Sequence, residues 1–315
     1  MAREQPDSIG CVWSNDVDSK RLVVLQANLN RSGFAHSAVS KINGASFGNV
    51  FPETFDSILL DAPCSGEGTG YKSASAYERW SEKGVRDIAN LQQSLLHSAA
   101  KACKVGGSIV YSTCTINHRE NESQIKWLLE TYPDAFEVED VSMVNAENGL
   151  THYQDEEMIS PEVAKQCIRC RPHHQSTGGF FVVKFRKTRS IAKPYTFDKA
   201  HSKQNQFSTP LTHSRGQDRN IAKWLKESFG MDIDLNQYAF VTSAKKVFVT
   251  SPVIVPFLSK ARFEKVGVPI AKVLTSKRTG DVSYIPLQHL ANSLGHLATH
   301  HTIDITPEQA QAYSE

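Results

Sequence analysis

Apolar residues in the first part of the chain switch repeatedly between a strand period and a helix period. Gly10 to Ser14 is a short apolar run, and Leu22, Leu25 and Leu29 then share one helical face that Gly33 ends. Ala38 to Ile42 and Phe55 to Leu60 read as the next strands. Val85, Ile88, Leu91, Leu95, Ala99 and Ala102 form a long apolar stripe, which stops at Lys104 and the Gly106-Gly107 pair before a strand through Tyr111. A helix from about Glu120 to Glu130 and a strand from Phe180 to Phe185 follow. This alternation predicts an α/β fold, a twisted and mostly parallel sheet with helices on both faces.

Ser190 to Asp218 breaks the pattern. It is polar, holds Pro194, Pro210 and several serines, and reads as a linker. Beyond it come a short helix (Ile221 to Phe229) and strand-like runs at Tyr238 to Thr242, Val247 to Thr250, Val266 to Leu274 and Val282 to Leu287. They predict a small α+β module. The expected division is therefore residues 1–189, a linker at 190–218, and a second module at 219–315.

A chain of 315 residues with 40% hydrophobic and 22% charged residues has room for one good core and a smaller second domain. No apolar run approaches the roughly 20 residues of a membrane span, and Met1 to Ser8 lacks the apolar core of a signal peptide. Six cysteines are too sparse for a disulfide scaffold, so a reducing cytoplasm is expected. The net charge of +2 is unevenly spread. Up to Arg189 there are 20 Lys and Arg against 23 Asp and Glu; beyond it, 15 against 10. A basic back part suits a polyanionic partner. Lys184 to Arg189, Lys245-Lys246, Lys260 with Arg262, and Lys277-Arg278 are the basic groups expected to line a phosphate path.

Chemistry concentrates in two stretches fifty residues apart. Asp61-Ala62-Pro63-Cys64-Ser65-Gly66 follows one apolar run, and Ser112-Thr113-Cys114-Thr115 follows another. Residues just past the carboxyl ends of such strands face the crevice where open α/β sheets bind ligands. A lone free cysteine is most often a small buried apolar residue, but Pro63, Ser65 and Gly66 make a tight loop rather than a packed strand. Two thiols beside a carboxylate suit covalent chemistry on an electron-poor ring. Adding a thiolate at C6 of cytosine turns C5 into a nucleophile, and a second thiol or other base then assists release. Such chemistry demands two thiols that are neighbours and open to solvent.

Asp61-Ala62-Pro63-Cys64-Ser65-Gly66-Glu67-Gly68 and Tyr111-Ser112-Thr113-Cys114-Thr115 closely resemble the signature loops of the RNA 5-methylcytosine methyltransferases, the Nop2/Sun group. Asn117, Glu120, Asn121 and Glu122 resemble that family's N-x-x-E-N-E run, and Pro172-His173-His174 with Gly179-Phe180-Phe181 resembles its later P-H…G-F-F segment. The back part is similar to the PUA-like RNA module of the family's bacterial small-subunit ribosomal RNA enzymes. The resemblance implies a Rossmann-like class I methyltransferase sheet followed by a small α+β PUA-like module. It implies S-adenosylmethionine as cofactor and ribosomal RNA as partner, with methylation of cytosine C5 through a covalent bond to C6. Cys114 would be the nucleophile, Cys64 would assist product release, and Asp61 would contact cofactor and target base. Asp16, after the first strand, would hold the ribose hydroxyls, and Asn43 would stand near the adenine.

The family's glycine-rich cofactor loop should precede Gly10 by about thirty residues, and nothing in Met1 to Ile9 resembles it. The expectation is thus an incomplete enzyme: the sheet's first strand is missing, the PUA-like module is partial, and cofactor binding by this chain alone is weak. A separate polypeptide carrying the amino-terminal half would be a further partner. The alternative is a non-enzymatic RNA-binding remnant. An exocyclic-amine methyltransferase needs no thiol, so Cys64 and Cys114 speak against it. Gly66 to Gly70 lacks the strand and helix context of a phosphate loop. Cys167 and Cys170 stand too close to His173 and His174 for the usual zinc spacing, so no metal is expected.

Overall fold

The computed structural model describes residues 9–70, 78, 80–141, 146–175, 177–191, 211–243, 245–303 and 305–314. Most of the expected linker, residues 192–210, lies outside the described residues. The chain divides into two compact units, one of residues 43–197 and one of residues 1–42 with 198–315.

Described by itself, the first unit runs α1 (Gly44–Val50), β1 (Phe55–Asp61), α2 (Glu82–Ala102), β2 (Cys103–Thr113), α3 (Glu122–Thr131), β3 (Phe136–Glu139), β4 (Ile168–Cys170) and β5 (Phe180–Lys187). The main sheet has the order β1-β2-β5-β3, with β4 paired to β5. The β1–β2 pair is parallel, whereas β5 runs antiparallel to β2, β3 and β4. The sheet is therefore mixed rather than mostly parallel. A late strand such as β5 alternates strictly, with Phe181, Val183 and Phe185 buried, so it packs one face on the core.

The helix α2 is read correctly from the sequence, but its buried face is shifted from the expected stripe: Leu91 is exposed and Gln92 is buried, and Leu96, Ala99 and Ala100 join Ile109, Tyr111, Ile125 and Leu128 in one core. The strand after it starts earlier than expected. Cys103 passes directly from helix to strand, and Gly106, at φ 81°, sits inside β2 rather than before it. The basic run at Lys184 to Arg189 is not a free phosphate path. Lys184 and Arg186 both pair with Glu139, at 2.9 and 2.6 Å, while Lys187 is fully buried and donates to Glu53 Oε1 and the Cys103 carbonyl.

The second unit contains β6 (Val12–Asn15), α4 (Ser19–Arg31), β7 (Ser37–Ser40), α5 (Arg215–Phe229), β8 (Ala239–Ser243), β9 (Lys246–Thr250), β10 (Phe263–Val266), β11 (Val268–Thr275), β12 (Val282–Pro286) and α6 (Gln288–Leu294). The grouping differs from a boundary at residue 189, for a reason visible in the pairing. β7 is buried along its whole length, with β6 parallel on one side and β10 antiparallel on the other. A buried strand leaves its backbone groups no water, so a partner on each side satisfies them. Trp13 on β6 packs its ring against Phe263 and Phe257.

The expected strand from Val266 to Leu274 is two strands in two sheets. Gly267 turns between them at φ 60°, where an added Cβ would meet the Val249 carbonyl oxygen at 1.9 Å. After that turn, β11 enters an antiparallel sheet with β9, β8 and β12. Ile221 and Leu225 of α5 and Leu290 and Leu294 of α6 complete its core with Phe240, Val247 and Val268. No helix among the described residues is long and apolar enough to cross a membrane.

Candidate active site

Parallel pairing of β1 with β2 sets Asp61 opposite Ser112, so both strands release their loops at one end of the sheet. The loops then run side by side. Ala62 donates its backbone N–H to the Ser112 carbonyl at 2.9 Å, and the Ser112 hydroxyl donates to Asp61 Oδ1 at 3.3 Å. Next come the sulfurs of Cys64 and Cys114, 3.0 Å apart. One residue further, the Ser65 and Thr115 hydroxyls bond at 3.0 Å. Both thiols are half-buried and Asp61 is exposed, so the group is open to solvent.

A third segment closes on the two loops. Gly68 donates to the Cys114 carbonyl at 3.0 Å and accepts from the Gly179 backbone N–H at 2.8 Å. A Cβ on Gly68 would lie 2.4 Å from the Gly179 carbonyl oxygen and 2.6 Å from that of Cys114. The approach therefore requires a residue without a side chain.

Beneath the loops lies a buried polar network. Glu120, fully buried, accepts from the Ser65 backbone N–H and from Gln92 Nε2, both at 2.9 Å. Gln92 also donates to the Pro63 carbonyl at 2.8 Å. Burial pushes the Glu120 carboxyl up, against the pull of the Ser65 and Gln92 donors. Asn121 accepts from the Thr113 hydroxyl at 2.6 Å and donates to the Thr115 carbonyl, bracketing Cys114 on both sides. Glu122 takes Arg169 on both carboxylate oxygens, at 2.7 and 2.6 Å, and Arg169 reaches on to the Ile116 carbonyl at 2.7 Å. The Asn117 to Glu122 run thus holds the second cysteine loop from below.

The sulfur contact separates the two thiols chemically. Cys114 is lowered to about 7, chiefly because the Cys64 S–H donates to its thiolate. Cys64 is driven well above an ordinary thiol by holding the proton in that same bond, with burial adding to the effect. One sulfur is an available nucleophile near neutral pH and the other a neutral donor beside it. Burial is the main effect on Cys11, Cys103 and Cys167, raising the first to about 11 and the last to about 12.

A sequence profile of the 16S rRNA methyltransferase RsmB/F family matches residues 4–186. The chain belongs to this family. Ribosomal RNA small subunit methyltransferase F of Erwinia tasmaniensis is 35% identical over 265 residues, 84% of this chain and 52% of its own length. The protein of the same name from Vibrio cholerae is 31% identical over 323 residues, 98% of this chain and 60% of its own. The chain thus spans about half the length of the curated relatives it matches. A solved protein, PH0851, superimposes with a TM-score of 0.50 at 30% identity, covering 56% of this chain and 37% of that one. The fold is the Rossmann-like α/β fold of this methyltransferase family.

The two remaining RsmB/F candidates, Asp16 and Asn43, follow the carboxyl ends of the parallel strands β6 and β7. Asp16 Oδ1 accepts from the Asp18 backbone N–H at 2.8 Å and from Arg21 at 3.1 Å. Asn43 Oδ1 accepts from Ala45 N at 3.0 Å as the N-cap of α1. A carboxylate and an amide are each of the kind of group that bonds the ribose or base of a nucleoside. Sequence reasoning missed Gln92 and Arg169. Gln92 carried a signal, as a polar residue on the buried side of an apolar helix; Arg169 was overshadowed by the cysteines flanking it. Among the described residues no three His, Cys, Asp or Glu side chains gather to hold a metal, and Cys167 Sγ donates to the Val163 carbonyl at 3.2 Å.

Proposed function

We propose that the chain carries the covalent machinery of an S-adenosylmethionine-dependent methyltransferase acting on C5 of a cytosine in 16S-type ribosomal RNA. The sulfur pair supports this most directly, with two half-buried thiols 3.0 Å apart, one of them ionised near neutral pH. Family membership supplies the rRNA methyltransferase class. By the family resemblance Asp16, Asn43 and Asp61 would contact the cofactor, which would supply an electrophilic methyl group.

The chain's own residues meet the other requirements. The Cys114 thiolate donates an electron pair to C6, and the displaced ring electrons make C5 the nucleophile. Asp61, exposed at the end of β1, would contact the base. A base extruded from its helix brings C6 within reach of the sulfur. After methylation the C5–H proton leaves to a base, the C5–C6 double bond re-forms, and the Cys114 thiolate departs. Cys64 assists that departure, since its S–H stabilises the leaving thiolate as it does the free one. Residues 1–189 would carry the catalytic half, and residues 219–315 a PUA-like module that holds RNA. A cytoplasmic location accords with ribosomal RNA as substrate.

The test is a trapping experiment on this chain and on a version extended to the length of its relatives, with cytosine-containing ribosomal RNA. Cys64→Ala is expected to accumulate a protein–RNA adduct that survives denaturation, and Cys114→Ala to accumulate none. Trapping by Cys114→Ala instead reverses the two roles. No adduct with either variant, in an active extended enzyme, removes the covalent route.

A further inference from the structure

The sulfur contact carries a second consequence that methyl transfer does not use. Cys64 and Cys114 sit between two fixed points. The Ala62 to Ser112 backbone bond precedes them and the Ser65 to Thr115 hydroxyl bond follows, so neither sulfur can drift far from the other. A disulfide needs sulfurs about 2.05 Å apart, and from 3.0 Å the pair closes by about 1 Å of movement.

We propose that Cys64 and Cys114 form a reversible disulfide on encounter with a peroxide-class oxidant, making the thiol pair a redox modification site. The Cys114 thiolate attacks one peroxide oxygen, the O–O bond breaks, and hydroxide leaves, giving a sulfenic acid at Cys114. Cys64 then gives up its proton and attacks the sulfenic sulfur. The S–O bond breaks, and the hydroxide released takes the Cys64 proton as water. The two thiols lose two electrons to the peroxide, which ends as two waters.

Selectivity follows from the surroundings of the six cysteines. Cys103 and Cys167 are buried and Cys11 is pushed to about 11 by burial, so their thiolates are scarce at neutral pH. Cys170 is raised by burial too. Cys114 alone is shifted the other way. A neighbour in contact also captures the sulfenic acid before further oxidation to the irreversible sulfinic state. The loss of methyl transfer that a disulfide implies rests on Cys114 being the nucleophile; the disulfide itself does not.

The experiment treats the native, unmodified chain with one equivalent of hydrogen peroxide, alkylates the remaining thiols, and maps the peptides by mass. The expected product is a Cys64–Cys114 cross-linked peptide lacking two hydrogens, with the other four of the six cysteines alkylated and full reversal by dithiothreitol. Cys64→Ser, given at least two equivalents of peroxide, should instead carry two added oxygens on Cys114. Cys114 over-oxidised in the native chain while Cys64 stays alkylatable, or both thiols left alkylatable by excess peroxide, overturns the proposal. A cross-linked protein that still methylates RNA overturns Cys114 as nucleophile and leaves the modification site standing.

Discussion

Two pairs of parallel strands in this protein end in polar residues, and they hold those residues in opposite ways. After β1 and β2, the loop atoms are fixed by partners far away in sequence: Gln92 on Pro63, Glu120 on Ser65, Gly179 on Gly68, Arg169 beneath Ile116. Gln92, Glu120, Gly68, Gly179 and Arg169 of this network are buried. After β6 and β7, Asp16 and Asn43 bond mainly to their own next turn, to Asp18, Arg21 and Ala45. Bond-making at sulfur tolerates little displacement, so it needs over-determined loops. In the proposed reading, gripping ribose hydroxyls and a base edge asks less, and half-buried or exposed groups that can readjust suffice.

The contrast can be broken by attacking each side in turn. Arg169→Met strands Glu122 as an unpaired buried charge and should cost about 3–5 kcal/mol in denaturant unfolding. A loss below about 1 kcal/mol would mean the network is not what holds the loop. Gly68→Ala forces the two cysteine loops apart. It should slow adduct formation by about a hundredfold, with a smaller effect on stability.

The pH dependence sharpens the comparison within the site. A lowered thiol is ionised at lower pH, so iodoacetamide should react with Cys114 in a sigmoid centred near pH 7. Cys64→Ala removes the donor that stabilises the thiolate, so the midpoint should move up toward an ordinary thiol. A midpoint that stays in place, or falls, would assign the shift to something other than the sulfur contact. The smallest effect belongs to the other strand pair. Arg21 is 71% exposed, and Asp16→Ala should change unfolding free energy by less than about 1 kcal/mol. A loss as large as that of Arg169→Met would erase the distinction between the two strand-end sites.

Much of this architecture was readable from local pattern. The stripe from Val85 to Ala102 is the helix α2 almost to the residue, and the strands ending at Asp61 and Thr113 follow from their apolar runs. The cysteine loops were legible because Pro, Ser and Gly beside a thiol at a strand end leave little room for a packed core residue. The reversed direction of β5 and the capture of β7 by β10 were not legible, since strand pairing depends on which distant edge is open rather than on the strand's own composition. Lys187 misled for a related reason. A lysine among basic neighbours reads as surface, yet the alternation of β5 turns it inward onto Glu53 and the Cys103 carbonyl.

The amino-acid order alone determined which atoms could react: two thiols and a carboxylate at the ends of two apolar strands, fifty residues apart. Folding alone decided that the thiols touch, and that one therefore ionises while the other holds its proton. A hydrogen bond between sulfurs depends on tenths of an ångström. That precision comes from the buried contacts of Gln92, Glu120 and Gly68, which no local pattern encodes.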